Sequence, residues 1–211
     1  MIRLEPGPKP EGFDERVEKR GKAWLAANAK GRPVAYWSEF KTDLANAFRS
    51  LCAYSAMYEP VGTVDHFVSC DEDRSRAYDW SNYRYSSGWI NSSKQALVSG
   101  QVVDPFLVEN DWFEILLPSL QMVATDRVPG DWRERAKHML NRLHLGHDER
   151  VLRQRREWYR MYQDGELTLD GLAKKAPLIA AAVRRASASP TAESRPSDAR
   201  EMFVVQDDGR V

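Results

Sequence analysis

The spacing of apolar residues changes character twice along this 211-residue chain, and that change constrains the fold more than any other feature. After an extended lead-in marked by Pro6, Pro8 and Pro10, residues 13–28 place Val17, Trp24 and Leu25 at roughly helical spacing, with Gly31 and Pro33 ending the run. Ser38 can cap a second helix running to about Leu51, with Phe40, Leu44, Ala47, Phe48 and Leu51 on one side. From 61 to 87 the period shortens. Residues 61–68 mix polar and β-branched side chains, 71–76 read as a charged loop, and 78–85 as a turn and a second strand. Residues 89–97 suit a short helix.

Beyond Pro105 the pattern changes again. Trp112, Phe113, Ile115, Leu116 and Leu117 form an apolar run that fits strand or helix. Asp131 can cap a helix in which Trp132, Ala136, Met139, Leu140 and Leu143 share a face. Asp148 or a neighbour starts the next, apolar at Val151, Leu152, Trp158, Tyr159 and Tyr162 and ending near Gly165. Thr168 can cap a third, which Pro177 kinks or restarts. The expected class is therefore α+β and mainly helical. It divides into a helical segment at 1–51, a short-strand module at 52–100, a helical extension at 101–186, and a Ser/Pro-rich tail at 187–211 with the composition of disordered chain.

Composition mostly excludes. Lys and Arg total 31 and so do Asp and Glu, so bulk positive charge cannot be the means of action. Any nucleic-acid surface must be local. The two cysteines, Cys52 and Cys70, form no CxxC pair and cannot build a four-thiolate or three-thiolate zinc site or a disulfide framework. The default expectation is a reducing cytoplasm. No segment approaches the roughly 18 apolar residues of a membrane span, and the first residues lack the apolar stretch of a secretory signal.

Four elements stand in order in the 52–94 region. They are Cys52-Ala53-Tyr54-Ser55, Val64-Asp65-His66-Phe67, Asp79-Trp80-Ser81-Asn82, and Ser87-Gly88-Trp89-Ile90-Asn91-Ser92-Ser93-Lys94. Together they resemble the signature of the HNH endonucleases, the ββα-metal nucleases. The usual pattern there is CxxC, a strand ending in Asp-His or Glu-His, an Asn on the second strand, then CxxCN with Lys after two more residues. The Tyr-Asp-Trp-x-Asn context is similar to the prokaryotic defence-associated group of the retron and Septu type. The likeness covers roughly residues 1–160, and only the 52–94 region is specific.

The resemblance implies a small hairpin-plus-helix module and hydrolysis of phosphodiester bonds in nucleic acid, with DNA the expected substrate. It makes Asp65 and Asn91 oxygen ligands of one divalent cation, and oxygen-only ligation favours Mg²⁺ or Mn²⁺. His66 becomes a general base on water, a task suited to an imidazole near neutral pH. Asn82 would steady the backbone or the imidazole, and Lys94 could meet phosphate. The group also implies a partner protein, commonly an ATPase. The chain departs from the pattern at the zinc knuckle, where the four cysteine positions hold Cys52, Ser55, Ser87 and Ile90, so no structural zinc is expected. Packing by Leu51, Trp80, Tyr83, Tyr85, Trp89 and Ile90 would have to replace it.

A second candidate surface lies at 133–160, where nine basic residues stand against four acidic ones. Arg153, Arg155 and Arg156 are the candidates for tracking a phosphate backbone. Ordinary solvated helices laced with ion pairs explain the same composition equally well. Two alternatives to the nuclease reading stay open: a catalytically inactive HNH-like protein that binds nucleic acid or a partner, and a small helical interaction protein in which the motif is coincidence.

Overall fold

The computed structural model describes residues 1–94 and 97–188. It is a mixed α+β chain, about half helical, with two separate two-stranded antiparallel sheets among the described residues. A π-helical stretch, Asp14–Lys19, runs directly into α1, Arg20–Ala27. A 3-10 turn over Tyr36–Phe40 leads into α2, Lys41–Ala47. The expectation that Ser38 caps this second helix is corrected: Ser38 sits inside the 3-10 turn, and α2 starts without a side-chain cap. Arg49 and Ser50 then take positive φ, ending the helix short of Leu51.

The first sheet pairs β1, Thr63–His66, with β2, Tyr83–Ser86, and helix α3, Gly88–Lys94, follows at once. The second pairs β3, Phe113–Leu116, with β4, Gln121–Ala124. The apolar run at 112–117 is thus strand. Phe113 and Ile115 are buried while Glu114 and Leu116 are more exposed, which is the period-two signature of a sheet with one covered face. Four helices complete the described residues: α4 (Gly130–Arg142), α5 (Glu149–Gln163), α6 (Leu169–Lys175) and α7 (Pro177–Ala188). Asp148 caps α5 by accepting from the Arg150 amide, and Thr168 caps α6 by accepting from Gly171. Asp131 lies one residue inside α4, whose N-cap is Pro129. Residues 187 and 188 close α7, and the rest of the expected tail lies outside the described residues. Among the described residues no helix is long and apolar enough to cross a membrane.

The three segments share one apolar core. Phe13 is fully buried and meets Phe40, Trp80 and Tyr83 edge-on, at centroid distances of 5.2, 5.2 and 5.9 Å. Burying such a ring is worth about 1.5–3 kcal/mol, and each edge-to-face contact adds about 0.5–1.5 kcal/mol. This cluster fixes the N-terminal helices onto the first sheet. At Gly21 the helix backbone comes so close to Tyr78 that an added Cβ would lie 2.2 Å from its ring. Only glycine allows that approach. At the other end, Met122 N–H donates to Gly146 O and the Arg185 guanidinium to Ile115 O, tying the second sheet to the C-terminal helices.

Candidate functional site

Strand β1 presents its residues alternately to two sides, and the two sides have different chemistry. In the ladder Thr63 faces Ser86, Val64 faces Tyr85, Asp65 faces Arg84 and His66 faces Tyr83. Pairing continues one step further, with Phe67 N–H donating to Asn82 O. The Asn82 side chain then closes the strand ends. Its Oδ1 accepts from Val68 N–H at 2.8 Å, and its Nδ2 donates to Val68 O at 2.9 Å and Arg76 O at 3.1 Å. Asn82 is fully buried in the 3-10 turn Trp80–Asn82, just before β2, and of its two expected roles it takes that of holding backbone.

His66 occupies one side of β1, half-buried. Its ring lies edge-on to Trp37 at 4.6 Å and to Tyr83 at 5.0 Å. Its Nε2 is 2.8 Å from Ala77 O. A carbonyl oxygen can only accept, so Nε2 carries the proton and the neutral ring keeps its lone pair on Nδ1. Nδ1 has no protein partner among the described residues. Burial pushes the imidazole pKa below its ordinary value of 6.5; the Ala77 carbonyl and Asp65 pull the other way, while Lys94 and Arg32 add to the lowering.

Asp65 occupies the other side, 3 % exposed. Its Oδ2 accepts from Tyr54 OH at 2.5 Å and its Oδ1 from Lys94 Nζ at 3.1 Å. Burial, and then the Asp65 charge, hold the Tyr54 phenol well above its usual range, so it stays a donor. Helix α3 lies along this side of the strand. Asn91 Nδ2 donates to Thr63 Oγ1 at 2.9 Å and Val64 O at 3.3 Å. One turn on, Lys94 Nζ donates to His66 O at 2.8 Å and Phe67 O at 3.1 Å as well as to Asp65. Lys94 is therefore corrected from a phosphate contact to a buried cation, 3 % exposed, turned into the protein.

This geometry bears on the divalent cation. Both carboxylate oxygens of Asp65 are engaged and its charge is already balanced by an ammonium, whereas Asn91 commits only its Nδ2 to the strand and its Oδ1 accepts no hydrogen bond among the described residues. A second cation beside Lys94 would meet like charge in a low-dielectric place. As arranged, the obstacle to an ion lies at Asp65, whose two oxygens already hold Tyr54 and Lys94, and not at Asn91.

The positions of the expected knuckle lie against the strand ends. The 52–57 turn hydrogen-bonds to β2 through Ala53 N–H and Tyr85 O, and Cys52 Sγ accepts from Ser87 N–H at 3.4 Å. Ile90 is fully buried, and Ser55 and Ser87 nearly so, the Ser87 hydroxyl without a partner among the described residues. Of the six residues expected to pack there, only Trp89 is partly exposed, and the Arg150 guanidinium covers its ring at 4.6 Å.

The second candidate surface divides. Arg155 is corrected outright. It is fully buried and donates to Leu120 O, Gly146 O and Leu145 O, pinning the β3–β4 turn and the loop before α5. The reason is its place on the helix, four residues after the buried Val151, on the stripe that faces the core. Arg156 is exposed and forms a two-bond pair with Glu149. Arg150 pairs with Asp148, and Arg160 with Glu157, Asp164 and Glu166. Arg153 is exposed.

Sequence reasoning missed Trp37, Tyr54, the Ala77 carbonyl and the Arg84–Asp104 pair, which is bidentate at 2.7 and 2.9 Å. Tyr54 lies within the Cys52–Ser55 element, which is the one signal it carried, and Asp104 stands ten residues past Lys94. Trp37 lies far from His66 in sequence and carried none. No protein-family model matches the chain, and no curated protein matches it either.

Proposed function

We propose that this chain is an HNH-type endonuclease that hydrolyses phosphodiester bonds of nucleic acid, with DNA the first substrate to test and His66 the base that activates water. The observation that carries the reading is the tautomer of His66. An imidazole whose Nε2–H is committed to a backbone carbonyl, and whose Nδ1 lone pair has no partner among the described residues, is prepared to take a proton from water. Burial keeps it neutral at neutral pH, so the base is present in its working form. The order strand, strand, helix, with Asp65, His66, Asn82, Asn91 and Lys94 brought onto one small unit, supports the same reading. His66 would take the proton of the attacking water as the new P–O bond forms; the ester P–O bond opposite it breaks, the leaving sugar oxygen takes a proton from solvent, and Asn82 would hold the strand that carries the base.

Mg²⁺ or Mn²⁺ dependence, which the resemblance implies, is a variable of the assay. So is a nucleotide-hydrolysing partner of a defence system. Purified protein is incubated with plasmid DNA or RNA, with Mg²⁺, Mn²⁺ or EDTA, beside His66→Ala. Cleavage lost in the variant supports the proposal. Cleavage that persists in His66→Ala overturns it. One observation favours a second reading, a catalytically silent binder: both carboxylate oxygens of Asp65, the residue the resemblance makes a metal ligand, are already engaged by Tyr54 and Lys94. Binding without cleavage, even with the partner added, selects that reading.

A further inference from the structure

We infer that Asp65 is the internal counter-ion of Lys94, not a ligand of a divalent cation, and that Tyr54, Asp65 and Lys94 form a buried clamp that positions His66. The inference deepens the nuclease reading and rests on it for its kinetic arm.

The stoichiometry of the contacts leads to it. An ammonium has three hydrogens to donate. Lys94 has three acceptors within reach, Asp65 Oδ1, His66 O and Phe67 O. They belong to three consecutive residues, so one side chain from α3 grips the strand on both sides of the His66 Cα. The remaining carboxylate oxygen of Asp65 is held by Tyr54, itself fully buried in the turn that packs on β2. The clamp thus joins three elements, the 52–57 turn, β1 and α3, at the residue where the base sits. Ala77 O fixes the far end of the same residue, at the ring. His66 is held at its backbone by Lys94 and at its Nε2 by Ala77, which leaves its Nδ1 direction determined.

A cation taking Asp65 Oδ1 would have to expel the ammonium. The carbonyls of His66 and Phe67 would then lose their donor, and the grip on the base would go with it. Ligation at Asp65 and positioning of His66 are in this geometry alternatives. Lys94 and Asp65 are therefore positioning residues, and neither touches the scissile group.

The test uses the full chain and Mn²⁺ alone as probe. Mn²⁺ binding is measured by electron paramagnetic resonance for wild type, Asp65→Asn, Lys94→Met and the double variant. Thermal unfolding and steady-state cleavage are followed in parallel. The clamp predicts that Asp65→Asn leaves Mn²⁺ affinity unchanged and that Lys94→Met does not increase it. It predicts that Lys94→Met lowers kcat by about tenfold or more with KM little moved, because misplacing a catalytic group acts on the chemical step. The double variant should melt above Lys94→Met alone, since no unpaired buried carboxylate remains. A loss of Mn²⁺ affinity of about tenfold or more in Asp65→Asn, or a gain in Lys94→Met, overturns the inference and makes Asp65 a ligand with which Lys94 competes. Absence of Mn²⁺ binding in the wild type supports the clamp, because an available carboxylate site would bind. If the wild type cuts no nucleic acid, the nuclease reading fails while the binding and unfolding arms still decide the clamp.

Discussion

Replacing Arg155 with methionine should destabilise the fold by about 3 kcal/mol, although it removes a buried charge that has no acidic partner. The two opposing effects can be weighed. Burial draws the guanidinium pKa from 12.5 down to about 10, a difference worth roughly 3 kcal/mol against the charged form. The group stays charged at neutral pH, so the folded protein carries that cost in full. Against it stand three hydrogen bonds at 3.0, 3.2 and 2.7 Å to Leu120 O, Gly146 O and Leu145 O. Bonds with one charged partner contribute about 1.5–3 kcal/mol each, so the three outweigh the desolvation by about 3 kcal/mol. Methionine fills much of the space but leaves the Leu120 and Leu145 carbonyls unmatched, while Gly146 O keeps the Met122 N–H. For a domain of this size the melting midpoint should fall by about 6–12 °C. Circular dichroism melts and urea titrations at pH 7 measure it. An unchanged or raised midpoint would refute the reasoning and show that the carbonyl pins do not repay the charge. Weaker nucleic-acid binding by a variant that keeps its fold would return Arg155 to the role its composition first suggested.

The other expectations concern the site. If His66 is the base, cleavage should fall on the acid side with its half-maximum below pH 6.5, because burial, Lys94 and Arg32 outweigh Asp65 and the Ala77 carbonyl. A pH–rate profile with its acid limb above pH 6.5 contradicts that. The same depression means the unfolded chain takes up the His66 proton first. Its contribution to stability is therefore present above pH 6.5 and lost as pH falls towards the folded-state value, and His66→Gln should flatten this part of the stability profile. Asn82→Ala strands the Val68 amide and the Val68 carbonyl, at about 1–3 kcal/mol for each buried group left unpaired, while Arg76 O keeps the Asp79 N–H. It should lower the melting midpoint by several degrees at least, and a midpoint equal to wild type would show that the strand end is held by something else.

What could be read from the sequence was what local chemistry decides. Asp148 and Thr168 cap helices because a side-chain oxygen reaches a free amide two or three residues on, and Pro177 restarts a helix because its fixed φ suits a first turn. The strands around Asp65 and Tyr83 were legible from β-branched and aromatic residues between breakers. Strand β4 was not, since Gln121-Met122-Val123-Ala124 is too short to show a period and exists because β3 lies beside it. At the site, the residue types of the motif were visible and their partners were not. Lys94 looked like a surface cation, and only the packing of α3 on β1 turns it inward. Arg155 could have been suspected, because it stands four residues after Val151 and three before Trp158, on the apolar stripe itself.

The two strands of the first sheet are not a tight hairpin. Residues 67–82 run between them, and the ladder is closed at that end by Asn82 and at the other by Tyr85, whose hydroxyl donates to Glu59 O and accepts from Gly62 N–H. Strand register therefore does not depend on the length of what lies between. Doubling such a connection costs only about 0.6 kcal/mol of closure entropy. Residues 69–72 can be lengthened or exchanged in evolution, or used to graft a sensing peptide, while Asp73 and the 3-10 turn Arg74–Tyr78, which carries the Ala77 carbonyl, keep the geometry around His66.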